Sequence, residues 1–153
     1  MSEGTWRPPA WIYRDKRPSS DEAYFENMTR VVFLAGLSWK MIDQKWSNFK
    51  KAFNNFSIVE VARFDEKDIK RLLGDVGIVR NRAKIMAAIH NAKQFQNTRK
   101  EYGSFQSYLD SLDKSNNYAS VIKELGKKFS RLGPSSARIF LYSVGENIRR
   151  PEE

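Results

Sequence analysis

Cysteine is absent from the 153 residues, and histidine occurs once, at His90. Disulfides and thiolate zinc sites are thereby excluded, and a metal on His90 would need several carboxylates beside it. No apolar run approaches the roughly 20 residues of a membrane span, and the N-terminal MSEGTWRPPAW lacks the form of a signal peptide. The expectation is therefore a cytoplasmic protein with no membrane partner. No alternation of apolar and polar residues persists over a useful length, which argues against a sheet. Also missing are a Gly-rich nucleotide loop, a Gly-x-Ser-x-Gly elbow and a His-rich metal pattern. Paired carboxylates such as Asp65-Glu66 and Asp68 fall where helices start. Spacing alone assigns no catalytic residue and no cofactor.

Acidic residues are the minority: 27 Lys and Arg face 18 Asp and Glu, a formal charge of +9. Such an excess favours a polyanionic partner, either nucleic acid or an anionic surface. The hydrophobic share, 41%, is ample for a core of ordinary size, so the chain is not of a disordered class.

Residues 1–18, with Pro8, Pro9 and Pro18, read as an extended arm whose Trp6, Trp11 and Tyr13 pack on the domain formed by residues 19–150. Ser19 and Glu22 form a capping-box pattern, so a helix starts near Ser20 and runs to about Ala35. Ile42, Trp46, Phe49 and Phe53 recur at helical spacing in a second helix, which stops near Asn54-Asn55. Ser57, Asp65, Asn81 and Ser104 each precede a further helical pattern. Tyr118, Val121, Ile122 and Leu125 mark another, and Ala137, Phe140, Leu141 and Val144 lie on one side of the last. The fold class is all-α, a bundle of short helices without sequence repeat.

Three features point toward nucleic acid. LGKKFSRLGPSSARIFLYSVG reads as helix, tight Gly-Pro hairpin at 132–136, helix. Unpaired N–H groups and the dipole at such a helix start favour an anion. Gly133, Ser135 and Ser136 lie at the turn, the serines where an N-cap is wanted, and Lys127, Lys128, Arg131 and Arg138 flank it. A second basic cluster, Arg80, Arg82 and Lys84 in GIVRNRAKI, sits at a helix start, where cations oppose the dipole and hint at an outside anion. Trp46 follows the core pattern of its helix, whereas Trp39 opens its helix just after Gly36 and could present a π-face to a cationic base.

AGLSW (35–39), FDEKDIKRLLGDVGIVRNRAKIMAAIHNAKQF (64–95), GSFQSYL (103–109) and LGPSSARIFLYSVG (132–145) occur in an order and spacing that resemble the DNA-3-methyladenine glycosylase I family, a branch of the helix-hairpin-helix DNA glycosylases. The resemblance implies that Leu37 fills the gap left in the duplex by an extruded nucleotide, that Gly36 lets the backbone approach DNA, and that Trp39 stacks on the flipped base. It implies that the Gly133 hairpin holds phosphates, aided by Arg80, Arg82 and Lys84. Laid over the family's pocket segment, WIYRD makes Tyr13 a second stacking residue, and Trp6 matches another position. Val31 stands where the family carries a glutamate that hydrogen-bonds the methylated adenine, and an apolar residue cannot accept those bonds. The family's Cys and His zinc site has no counterpart here, with Arg14 near one histidine position, so no metal is expected.

The activity implied is excision of cationic alkylated purines, 3-methyladenine first, from double-stranded DNA by a monomeric, nucleoid-associated enzyme. A positively charged purine is already a good leaving group, so extrusion and stacking can suffice with little general-acid help. No lysine nucleophile stands at the corresponding place, which implies a monofunctional enzyme that leaves an abasic site. Two alternatives stay open: a non-catalytic protein that binds damaged or distorted duplex, motivated by Val31, and a helical protein serving another polyanion such as RNA.

Overall fold

Most helices begin on a residue that the sequence marks for the purpose. The computed structural model describes residues 8–151. Within them lie α1 (Asp21–Leu34), α2 (Trp39–Ala52), α3 (Ile58–Ala62), α4 (Glu66–Leu73), α5 (Arg82–Tyr102), α6 (Phe105–Asp110), α7 (Ser115–Lys128) and α8 (Pro134–Ser143). Ser20, Ser38, Ser57, Asp65, Asn81 and Ser104 each accept a first-turn N–H that has no acceptor inside its helix. No strand forms among the described residues, and an isolated bridge joins Tyr13 to Val144. The fold is all-helical.

α1 starts where the sequence predicts, near Ser20, but two helix caps differ from the expectation. At α1 the cap is Ser20, whose Oγ accepts from the Ala23 N–H at 3.1 Å, one residue beyond the Ser19 and Glu22 box. Tertiary contacts decide this: Glu22 pairs with Arg99 at 3.2 Å, while Asp21 turns inward to Arg99 at 3.0 Å and accepts the Phe105 N–H at 3.0 Å. At α8 the N-cap is Gly133 rather than a serine, Pro134 takes the first turn, and no side chain caps this end. The expected stop of α2 is present, since Asn54 and Asn55 follow its end with left-handed φ of 51° and 55°.

α5 forms the axis, packed against α1, α3, α4 and α6. Phenylalanine fills the space around it: Phe25, Phe95, Phe105 and Phe140 are fully buried, with Phe95 and Phe105 rings 4.5 Å apart and Phe105 and Phe140 rings 5.9 Å apart. Such ring pairs contribute about 1 kcal/mol each beyond the area they bury. Trp46 stacks on Phe49 and Phe56 at 5.0 and 5.2 Å and donates its indole N–H to Glu26, the core role its spacing predicts.

The arm is held at several points. Tyr13 N–H donates to Ser143 O at 2.9 Å, and Asn27 Nδ2 donates to Trp11 O and to both Ser143 oxygens at 3.2 Å. Gly145 has φ +80°, and a Cβ there would overlap the Lys16 carbonyl, so only glycine lets arm and C-terminal segment touch. Beside it Glu146, its side chain 2% exposed, meets Lys114 Nζ at 2.8 Å, Arg17 Nε at 3.3 Å and the Tyr118 hydroxyl at 3.0 Å. One carboxylate thus ties arm, α7 and C-terminal segment together.

Replacing Glu146 by leucine leaves those partners uncompensated, although Arg17 and Lys114, 28% and 30% exposed, can turn partly to water. The expected loss is about 2 kcal/mol, read as a lower urea midpoint with unchanged slope.

Candidate nucleic-acid interface

Four residues carry the chain from α1 to α2. Ala35 leaves helical geometry, Gly36 adopts φ +79°, the Leu37 N–H donates back to Leu34 O at 2.8 Å, and Ser38 caps α2 by accepting from Met41 N at 3.1 Å. A side chain at Gly36 would meet nothing within 4 Å, so the positive φ is what demands glycine, and the outer surface of the corner stays bare. Leu37 leans on the core from this corner, and Trp39, the first residue of α2, is 42% exposed.

A cavity of about 730 Å³ opens beside the corner. Val31 and Leu34 from α1, residues 35–37 and Trp39 form one side, and Ser135, Ser136, Ile139 and Tyr142 of α8 form another. Pro9, Ile12, Arg150 and Pro151 close it. The AGLSW corner and the start of the hairpin helix, distant in sequence, therefore share one cavity.

Behind Trp39 lies a feature that the sequence reading missed. Trp11 sits 5.5 Å from Trp39, and the buried Arg30 guanidinium is wedged 4.8 Å from the Trp11 ring and 4.8 Å from Trp46. Arg30 Nη2 reaches Asp43 at 2.6 Å. Burial pulls the Arg30 pKa below the usual arginine value, and Asp43 opposes that pull. The guanidinium stays charged and braces the arm's tryptophan against α1 and α2. The available signal was an arginine inside the apolar run of a helix, where a charge needs a stated partner.

The stacking residue expected in the arm moves. Tyr13 does not line the cavity: its backbone is committed to Ser143, and Ile12 turns inward instead. Ile12 closes a turn, its N–H donating to Pro9 O at 3.0 Å, and its side chain is buried, whereas Tyr13 is partly exposed. Trp6 lies outside the described residues. Val31, 1% exposed, does line the cavity.

The basic residues separate into groups. Lys84 is buried: its ammonium donates to Phe33 O at 3.1 Å and Ala35 O at 2.7 Å, the carbonyls at the end of α1. It cannot reach an outside phosphate, which corrects the expectation from the cluster. The conflict between a cation and the α5 N-terminus is resolved inside the protein, by the negative end of another helix. Burial first, and the charge of Arg131 second, lower the Lys84 pKa. Arg82 pairs with Glu66 at 2.9 Å and Lys127 with Glu124 at 3.5 Å, while Lys128 lies over the Tyr108 ring at 4.7 Å. Arg80, Arg131 and Arg138 are exposed and make no ion pair among the described residues.

Asn91 on α5 pins the hairpin from beneath, accepting the Ser130 N–H at 2.7 Å and donating to Ser130 O at 3.2 Å. Arg131 takes φ +58° above it, Leu132 is buried, and Gly133 has open space where a Cβ would be. The uncapped first turn of α8, Ser135 and Ser136 included, thus faces outward beside Arg131 and Arg138. Among the described residues no group of three or more His, Asp or Glu could hold a metal. With cysteine absent, the residues do not fit the zinc site of the resemblance.

The chain is thus an all-helical domain in which an uncapped helix start flanked by exposed arginines adjoins a cavity with Trp39 and Tyr142 in its wall. The family model described as methyladenine glycosylase matches residues 11–139, and the chain belongs to that family. The DNA-3-methyladenine glycosylase 1 of Escherichia coli (strain K12) is 44% identical over 61 residues, covering 40% of this chain and 33% of that protein. The DNA-3-methyladenine glycosylase of Haemophilus influenzae is 30% identical over 101 residues, covering 63% and 55%. The matched region thus spans from a third to about half of these relatives. A crystal structure of a 3-methyladenine DNA glycosylase I superposes with TM-score 0.76 at 24% identity, covering 91% of this chain and 93% of the other. A variant of such a glycosylase in complex with 3-methyladenine gives 0.76 at 25%, covering 93% and 89%.

The Lys84 assignment predicts that Lys84→Met lowers stability by about 2 kcal/mol, because two carbonyls lose a charged donor. Lys84→Met should also loosen the 35–38 corner, read as faster amide hydrogen exchange at Gly36 and Leu37 than in the native protein.

Proposed function

We propose that the chain is a monofunctional DNA glycosylase for alkylated purines, 3-methyladenine foremost, acting as a monomer on double-stranded DNA. The observation that carries this reading is the shared cavity, in which the Gly36-Leu37 corner and the Ser135-Ser136 helix start meet beside Trp39. A base swung out of the duplex leaves a gap, and Leu37 is placed on the corner to fill it. The base enters beside Trp39 and stacks there, which offsets an extrusion cost of a few kcal/mol. The phosphates flanking the extruded nucleotide lie on the α8 start, held by the N–H groups of Ser135 and Ser136 and by Arg131 and Arg138. Arg80 extends this grip.

The chemistry then follows from the substrate. Alkylation places a positive charge on the purine, and as the C1′–N9 bond lengthens its electron pair moves to N9 and neutralises that charge. Water adds at C1′ and gives its proton to solvent, leaving free base and an abasic site. Among the described residues no carboxylate lines the cavity, and none is required to protonate a base that is already cationic. The described helices include none long and apolar enough to cross a membrane. Association with the nucleoid would follow from a DNA substrate. Residues 19–150 act as one domain, and Pro9 and Ile12 of the preceding arm complete the cavity wall.

Release of free bases from methylated duplex DNA, identified chromatographically, tests the activity. Trp39→Ala should slow 3-methyladenine release by tenfold or more, since stacking contributes about 1–3 kcal/mol per base. Binding without release of any methylated base would instead favour a damage-recognising protein without turnover. Arg138→Ala should weaken DNA binding irrespective of sequence and reduce the salt dependence of log K by about one.

A further inference from the structure

Trp39 is backed by a stack that begins in the core. Trp46 lies against Phe49 and Phe56, and the Arg30 guanidinium sits 4.8 Å from its ring. The same guanidinium is 4.8 Å from Trp11, whose ring centroid is 5.5 Å from that of Trp39 at an interplanar angle of 46°. Core, cation, arm and cavity edge are thus linked in one series: Trp46, Arg30, Trp11, Trp39. Trp39 stands in the cavity wall and is 42% exposed, whereas Arg30 is 6% exposed. An exposed side chain exchanges rotamers freely unless a neighbour fixes it. Trp11 can serve as that neighbour because its own backbone is pinned. Its carbonyl accepts from Asn27 at 3.2 Å, and the next two N–H groups donate to Pro9 O and Ser143 O at 3.0 and 2.9 Å.

Arginine suits the middle of this series for a physical reason. A planar guanidinium stacks on aromatic rings, and the attraction strengthens where water is excluded. Asp43 holds Arg30 at 2.6 Å, and that carboxylate is 72% exposed, so removing the arginine would leave its partner in water rather than stranded in the core. Capture of an extruded base is favoured when a ring face already stands where the base arrives, since ordering Trp39 during extrusion would cost free energy. We propose that Arg30 and Trp11 are positioning residues for base capture, a role that rests on the glycosylase reading above. Arg30 holds the Trp11 ring, and Trp11 holds Trp39 in the orientation that receives the base.

Single-turnover release of 3-methyladenine from methylated duplex DNA, at protein concentrations that saturate the DNA, tests this role. Trp11→Ala and Arg30→Met should each slow release by about threefold or more, part of the stacking lost in Trp39→Ala. Affinity for undamaged duplex should change by less than about twofold, since the proposed phosphate contacts lie at Arg131 and Arg138. Trp11→Phe keeps an aromatic ring and should recover most of the rate. In a Trp39→Ala background the same changes should slow release no further, because they act through that ring. Equal losses in both backgrounds, or no loss in folded Trp11→Ala and Arg30→Met proteins, overturn the proposal and leave the glycosylase reading standing. Native protein that releases no methylated base removes that reading, and the positioning role with it. Ring order is also read without turnover, from the Trp39 indole N–H resonance, which should shift and broaden in Trp11→Ala and Arg30→Met. An unchanged resonance overturns the proposal. Should Arg30→Met fail to fold, Trp11→Ala, at a partly buried position on the arm, decides alone.

Discussion

A buried ammonium joins the two halves of the candidate interface. Lys84 leaves the first turn of α5 and ends on the carbonyls of Phe33 and Ala35, so the axis of the core fixes where α1 stops. Where α1 stops determines the rest: Gly36 turns the corner, Ser38 starts α2, and Trp39 is delivered to the cavity edge. Its charge meets the negative end of α1 and so opposes no dipole there. Asn91, two turns further along α5, fixes Ser130 in the hairpin through both of its amide atoms. One helix therefore positions both the corner and the hairpin turn, and the cavity between them inherits its shape from the core.

The electrostatics of the cavity follow from the same arrangement. Arg30 between Trp11 and Trp46 and Lys84 beneath the corner place two buried cations close to an apolar space that no carboxylate among the described residues lines. Each is matched locally, Arg30 by Asp43 and two indole faces, Lys84 by two carbonyls. In the proposed function, phosphates meet the exposed Arg131 and Arg138, and a base entering the cavity meets rings, methyl groups and hydroxyls. Grip and selection would thus be separated in space, the first by charge at the hairpin and the second by stacking and bond strength.

Much of the architecture was legible in the sequence because it is written in local chemistry. Serine, asparagine and aspartate caps marked most of the helix starts, the Asn54-Asn55 pair marked the end of α2, and helical spacing placed Trp46 in the core. The exceptions are positions where a distant contact overrides the local signal. Glu22 and Asp21 answer to Arg99, which lies 77 and 78 residues away, so the capping box at Ser19 does not form. Lys84 reads as a surface cation until the partner carbonyls are known. Arg30 and Trp11, separated by an entire arm and helix turn, gave no periodic signal of their sandwich, and the backbone pairing that turns Ile12 rather than Tyr13 inward depends on a segment more than a hundred residues later.

An apolar residue at position 31 suits the packing around it. A glutamate at a position 1% exposed carries a desolvation cost that only a bound donor can recover. Valine avoids that cost and packs in the core whether or not a base is present. For the cationic purine of the proposed reaction, a contact to the base edge is not the source of bond cleavage, since the charge on the ring already weakens the bond to C1′. That reaction asks instead for something to occupy the vacated stack, a face for the base and a hold on the phosphates.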